Sequence, residues 1–250
     1  MRLVSDVHGA SAALRRIAAE PGPLLVLGDL INFIDYRTLD GIVADVSGRS
    51  FVAEMVRLRA AADHAGASRL WSRSQQGQED EVRARYLAAI EEAYAEVCAA
   101  LAGAEAYVTF GNVDRPDLLQ RHLPDGVTFV ESGVFEIEGW RVGIVGGGTV
   151  SIGTPGEITE AQMAERLAAL GPVDMLCTHA PPAIGPLARD VVGGREKGSS
   201  AIVAYLERMS PRFHYFGDIH QPQATSWRFG ATRCRNVGYF RATGRALHHG

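Results

Sequence analysis

Met1-Arg2-Leu3-Val4-Ser5-Asp6-Val7-His8 reads as a short buried strand, Met1 to Ser5, that breaks into a polar turn from Asp6 to Gly9. Ser11 to Glu20 then carries helical apolar spacing at Leu14, Ile17 and Ala18, and Pro21-Gly22-Pro23 stops it. A second apolar run, Leu24 to Leu27, ends in Gly28-Asp29. This is a β-α-β opening with an acidic residue at the carboxyl end of each strand. Open α/β sheets bind their ligands at those ends. The fold class read from this stretch is α/β.

The same punctuation recurs further along. Ala106 to Phe110 leads into Gly111-Asn112-Val113-Asp114, Val173 to Cys177 into Thr178-His179, and Phe213 to Phe216 into Gly217-Asp218-Ile219-His220. Any one of these is more often a turn, a helix cap or a loop histidine than a ligand. Five such pieces, all at apparent strand ends, argue for a metal site built from Asp6, His8, Asp29, Asn112, His179, Asp218 and His220. In an extended segment, positions two apart face one side. Asp6 with His8, and Asp218 with His220, are each expected to point together on that ground. Oxygen and nitrogen donors without a thiolate suit Mn²⁺, Fe or Zn²⁺ better than a soft-metal site. A pair of such ions lowers the pKa of an attacking water and offsets charge on a phosphoryl group.

Between the second and third of these pieces the character changes. From about Tyr36 to Ala104 strand-like runs vanish, and alanine, arginine and glutamate dominate. Helices are expected over Ser50 to His64 and Glu79 to Ala102, with a polar loop from Ser72 to Asp80. Residues 36–104 are read as a helical insertion within a single domain of residues 1–250. It is a candidate to overhang the site; outer-face packing or a homo-oligomer contact is the equal alternative. After it, Val127 to Val130, Val134 to Ile137 and Arg141 to Val145 read as a meander. Gly146-Gly147-Gly148 follows with no lysine and no helix behind it, so a tight turn or close backbone approach explains it better than a phosphate cradle. Thr159 to Leu170 and Ser199 to Met209 are expected helices.

Bulk properties narrow the class. The chain has 250 residues, 46% hydrophobic and 22% charged, an ordinary globular composition with room for a sizeable core. A net charge of −4 argues against long nucleic acid as a partner. Cys98, Cys177 and Cys234 are dispersed and odd in number, so they read as buried structural thiols of a reducing compartment. The early polar turn at Ser5-Asp6 leaves no apolar signal core, and no run reaches membrane-spanning length, so a cytoplasmic location is expected.

Taken in order, Asp6-Val7-His8, Gly28-Asp29, Gly111-Asn112-Val113-Asp114, His179 and Gly217-Asp218-Ile219-His220 resemble the calcineurin-like metallophosphoesterase superfamily. Its pattern runs D-x-H, G-D, G-N-H-D or -E, a later His, and G-H-x-H. The resemblance spans nearly the whole chain outside the insertion. It implies a four-layer αββα sandwich, two mixed β-sheets flanked by helices, with metals at the strand ends. It implies a first ion held by Asp6, His8, Asp29 and His220, and a second held by Asp29 as bridge, Asn112, His179 and residue 218. It implies Asp29, Asn112 and Asp114 as catalytic residues, and activity as a phosphoester hydrolase with metal-bound hydroxide as nucleophile and a small phosphorylated metabolite or nucleotide as substrate.

Two positions depart from the pattern. Val113 stands where the family has a histidine that binds phosphate and protonates the leaving group. Asp218 stands where it has a metal-binding histidine. Losing a general acid typically forfeits about 10²–10⁴-fold, most for poor leaving groups. The reading therefore leans to phosphodiesters and activated esters, with His122, Asp35 or His64 as substitute acids. A nuclease or cyclic-nucleotide phosphodiesterase is the first alternative, and a metal-binding scaffold or sensor without turnover the second. Weaker signals are Asn32 and Asp35 as orienting contacts or plain turn residues, and Arg115 as a phosphate contact or a helix-start arginine. The loop Gly193 to Ser199 is an anion site or an ordinary connection with a Ser cap. His248 and His249 read as a solvated tail.

Overall fold

The computed structural model describes residues 1–249 except 62, 76, 152 and 193–195, and leaves out the side chains of His64 and Gln75. Gly193, Gly194 and Arg195 of the polar loop, and the His64 side chain, therefore lie outside the described residues.

In chain order the elements are β1 (Arg2–Val4), α1 (Ser11–Ala18), β2 (Leu24–Leu27), α2 (Ile42–Ser47), α3 (Arg49–Ala60), α4 (His64–Gln75), α5 (Glu79–Ala99), β3 (Ala106–Thr109), α6 (Pro116–His122) and β4 (Val127–Phe129). Then come β5 (Ser132–Ile137), β6 (Trp140–Val145), β7 (Gly148–Thr149), β8 (Glu157–Ile158), α7 (Glu160–Leu170), β9 (Met175–Thr178) and α8 (Gly185–Ala188). The chain closes with α9 (Ser200–Met209), β10 (Phe213–Phe216), β11 (Ser226–Phe229), β12 (Thr232–Asn236), α10 (Phe240–Thr243) and β13 (Leu247–His248).

The chain divides into two compact units, residues 1–30 with 96–250, and residues 31–95. The first holds two mixed sheets flanked by helices. One has the order β13-β1-β2-β3-β4 and the other β11-β12-β10-β9-β6-β5. In each sheet the inner strands run parallel, and the antiparallel strands are β13 in the first and β5 and β11 in the second. The core lies between the sheets. Leu3, Leu25 and Leu27 from one meet Val142, Ile144, Met175, Cys177 and Tyr215 from the other.

Strand alternation sends the remaining side chains outward, where helices cover them. Arg2, next to inward-facing Leu3, donates to the Ile17 carbonyl and so fixes α1 on the outer face of β1. On the other sheet α7 packs on β5, β6 and α9. Thr159 starts α7 with a capping box, its hydroxyl accepting from the Gln162 amide while Gln162 reaches back to Thr159 N. Ser199 caps α9 through the Ile202 amide.

The second unit is helical and has its own apolar cluster, Val43, Ala44, Phe51, Val52 and Met55, packed by Trp71 and Tyr86 among others. The helix expected over 50–64 is in fact two: α3 ends at Ala60, and Asp63 starts α4 by accepting from Gly66 N. The polar run Ser72 to Gln75, expected as loop, is the last turn of α4. Alanine-rich sequence has good helix propensity throughout and hides such breaks.

Two further expectations are corrected. The meander does not exist as read: β4 pairs with β3 in the first sheet, while β5 and β6 form a hairpin in the second. Similar strand patterns do not say which sheet each joins. The C-terminal tail is solvated only in part, with the His248 side chain exposed. Leu247 and His248 pair with β1, and His249 accepts or donates at Tyr215 Oη over 2.8 Å while packing edge-on to Trp140 and Phe213.

Candidate metal centre

All seven predicted donors lie at the carboxyl ends of parallel strands. Asp6 and His8 follow β1, Asp29 follows β2, Asn112 follows β3, His179 follows β9, and Asp218 and His220 follow β10. Beyond the strands, the Asp6 amide bonds the Gly28 carbonyl and the His8 amide bonds the Asp29 carbonyl, which locks the first two tips together. The sheets are joined at this rim by the Asp218 amide on Asp6 Oδ2 at 3.1 Å, and by His179 Nδ1 on the Leu27 carbonyl at 2.8 Å.

The pairs two apart do not converge by being extended. Asp6 and His8 have φ of 58° and 42°, Asp29 has 54° and Asp218 has 65°. These left-handed conformations are uncommon for any residue with a Cβ, although Asp, Asn and His tolerate them best. The tight turns, rather than pleating, aim the side chains inward. Gly28, just before Asp29, has φ of 89°, and a Cβ there would overlap the Gly111 backbone, so this glycine admits the close passage of β2 and β3.

Two groups of donors result. Asp6, His8 and His220 form one, and Asp6, Asp29 and His179 the other, each with ligand atoms within 4.8 Å of one another. His8 Nε2 lies 3.2 Å from His220 Nε2, and His220 Nε2 lies 3.3 Å from Asp6 Oδ1. Donors bound about 2.0–2.2 Å from one ion lie about 3.0–3.5 Å apart, so these spacings suit a shared cation. Asp29 faces both groups: Oδ2 is 3.6 Å from His8 Nε2 and Oδ1 is 3.5 Å from His179 Nε2. Asn112 Oδ1 lies 3.3 Å from His179 Nε2. The Leu27 carbonyl accepts from His179 Nδ1–H, so in the neutral, metal-binding form of the ring Nε2 carries the lone pair and faces the site.

The electrostatics call for positive charge. Asp6, Asp29, Asp114 and Asp218 are all buried, and Asp6 Oδ1 and Asp218 Oδ2 have no hydrogen-bond partner. Buried carboxylates need cations. Burial pushes the Asp6 carboxyl up, but the His220 imidazole 3.3 Å from Oδ1, with the charges of His179 and His8, holds it well below the usual range. Burial likewise works against a charged His179, yet Asp29, Asp6 and Asp218 outweigh it and raise the imidazole to about 9. The orphaned oxygens and the oxygen–nitrogen donor set fit divalent metal ions.

Other predicted residues sit elsewhere. The buried Asp114 carboxylate accepts from the backbone amides of Asp29 (2.7 Å), Gly111 (2.8 Å) and Leu30 (3.0 Å). It ties the β2 and β3 loops to each other. Burial, then the nearby Asp29 charge, raises its carboxyl to about 7. Val113 contributes its backbone N–H, which donates to Asp29 Oδ1 at 3.1 Å. Asn32 bonds Asp40, and Asp35 accepts from the amides of Arg37 and Thr38, the local turn bonding weighed above. Arg115 precedes α6 and faces Asp117 at 3.6 Å.

Three side chains at the site were not read as part of it from the sequence, although Lys197 lies in the polar loop Gly193 to Ser199 noted as a candidate anion site. Lys197 Nζ donates to Asp218 Oδ1 at 2.8 Å; that carboxylate holds the ammonium above its ordinary range. The Tyr239 ring stacks on His220 at 3.9 Å between centroids. Arg241 donates to the His8 carbonyl at 2.7 Å. Each comes from a loop or short helix remote in sequence, and no spacing rule links them to the motifs.

Neither a protein-family model nor a curated protein matches this sequence. Solved structures do match in fold. One superposes with a TM-score of 0.61 at 15% identity, over 96% of this chain and 90% of its own. The protein TT1561 of Thermus thermophilus superposes at 0.53 and 11% identity, over 98% and 96%. The phosphopantetheinyl hydrolase PptH of Mycobacterium tuberculosis reaches 0.43 at 14% identity, over 97% and 91%, below the level that shows a common fold. At such identities the likeness is one of architecture.

Proposed function

We propose that this chain is a metal-dependent phosphoester hydrolase with the calcineurin-like arrangement, acting on a small phosphorylated metabolite or nucleotide and favouring diesters. The observation that supports it above all is the convergence of Asp6, His8, Asp29, Asn112, His179 and His220, drawn from both sheets, around buried carboxylate oxygens without partners. Divalent ions at this place, Mn²⁺ or Fe with Zn²⁺ as alternative, would supply an acidified water and offset phosphoryl charge.

The residues of the chain then take distinct parts. Asp6, His8, Asp29 and His220 would hold one ion; Asp29, Asn112, His179 and Asp218 the other. Asp29 is the natural bridge, because its two oxygens face different imidazoles. Asp114 acts as a positioning residue: it holds the Asp29 and Gly111 amides in place and touches no reacting atom. Val113 offers no proton, which favours esters whose leaving group needs none.

The test is metal analysis of the purified protein, with rates on a panel of mono- and diesters supplied with Mn²⁺. Bound metal, diester turnover and loss of both in Asp29→Ala are expected. Full turnover by Asp29→Ala would defeat the proposal. A flat dependence of rate on leaving-group pKa would remove the diester preference and leave the hydrolase reading standing.

A further inference from the structure

We propose that Lys197 makes the two cation positions unequal, acting as a resident competitor at Asp218 so that the position using this carboxylate fills more weakly and exchanges more readily. The inference rests on the metal-centre reading above and concerns the regulation of that centre.

Lys197 is fixed in place rather than waving from a surface loop. Its amide bonds the Ala188 carbonyl at the end of α8, and two residues on the Ser199 amide bonds the Pro181 carbonyl. Between them Gly198 passes so close to Ala183 and Ala188 that a Cβ there would meet Ala183 Cα at 2.7 Å and Ala188 Cβ at 3.0 Å. The segment is thus pinned on both sides, and the side chain reaches a carboxylate that is only 3% exposed.

Asp218 meets the ammonium with Oδ1 only, while Oδ2 is buried and lacks a hydrogen-bond partner. Oδ2 is the atom a cation would take. A carboxylate already bonded to an ammonium is a poorer donor, and a second positive charge beside it repels an arriving ion. Both groups of three donors, Asp6 with His8 and His220 and Asp6 with Asp29 and His179, leave out Asp218, so it is the proposed assignment of Asp218 to the position of Asn112 and His179 that confines the competitor to that position. A charge-assisted hydrogen bond is worth enough to weaken binding about 10- to 100-fold.

The test is calorimetric titration of the metal-free full-length protein with Mn²⁺, for wild type, Lys197→Met and Lys197→Arg. Wild type is expected to bind one ion tightly and a second weakly. In K197M the weak step should tighten about 10- to 100-fold with the tight step nearly unchanged, while K197R, which keeps the charge, should resemble wild type. A weak step that is unmoved in K197M, or equal shifts in both steps, or K197R behaving as K197M, would overturn the inference and leave the metal centre intact. Failure of all three proteins to bind any ion would instead overturn the metal-centre reading, and this inference with it.

Discussion

Asp6, His8, Asp29 and Asp218 adopt left-handed backbone, each a conformation that costs about 1–3 kcal/mol and persists only where the surroundings enforce it. Here the enforcement is visible in the amide of Asp6 on Gly28 and the amide of His8 on Asp29. Asp114 supplies the rest, with three backbone donors on one buried carboxylate. Replacing it by asparagine puts an amide NH₂ where at least one N–H donor now finds an oxygen. Asp114→Asn should lower unfolding stability by about 1–3 kcal/mol and weaken metal affinity about 10- to 100-fold. Urea unfolding and Mn²⁺ titration read the two effects, and a variant within about 0.5 kcal/mol of wild type with unchanged affinity would remove its positioning role.

A second buried residue sets an acid limit. His214 contacts Thr178 Oγ1 at 2.9 Å, its Nδ1 has no hydrogen-bond partner, and burial lowers its pKa from 6.5 to about 3. The unfolded chain therefore binds a proton that the folded chain refuses. The neutral His214 contributes no penalty above about pH 6.5, and stability falls as pH drops from there towards about 3. His214→Asn should show a shallower loss over about pH 6.5 to 5 than wild type. Parallel stability curves for the two proteins would contradict this.

At the level of elements, the glycines after β6 explain themselves by contact. A Cβ on Gly148 would overlap the Cβ of Asn112, and Gly147 bonds the Phe110 carbonyl through its amide. The run lets β7 lie against the loop that carries Asn112. Gly148→Ala should force Asn112 aside, lowering stability by about 1–3 kcal/mol and cutting diester turnover more than stability alone accounts for. Unfolding titration and rates on the same preparation decide it; wild-type turnover would mean that Asn112 is not displaced. The β-α-β opening, the strands that carry the donors, and the T-x-x-Q cap of α7 were legible because each is a local pattern. The break between α3 and α4, and the assignment of β4 to one sheet and β5 to the other, were not. Uniform helix propensity hides the first, and pairing partners distant in sequence determine the second.

For the molecule as a whole, ion binding and folding should be linked. The donors come from loops spread between residues 6 and 220, so they meet only in the native state. Mn²⁺ at a hundred times its dissociation constant should stabilise the protein by about 2.7 kcal/mol, an effect abolished by a chelator and by Asp29→Ala. Thermal melts with and without Mn²⁺ measure it, and an equal shift in the variant would point to binding elsewhere. No described helix is long and apolar enough to cross a membrane. The helical unit of residues 31–95 keeps its own apolar cluster.

The sequence by itself determined the α/β class and which strand ends carry carboxylate, amide and imidazole groups, because these are properties of contiguous residues. Tertiary structure alone decided that the donors meet through left-handed turns, that Asp114 faces amides, and that Lys197 and Tyr239 join the centre. Those outcomes depend on how distant segments approach one another, and a linear pattern holds no term for that.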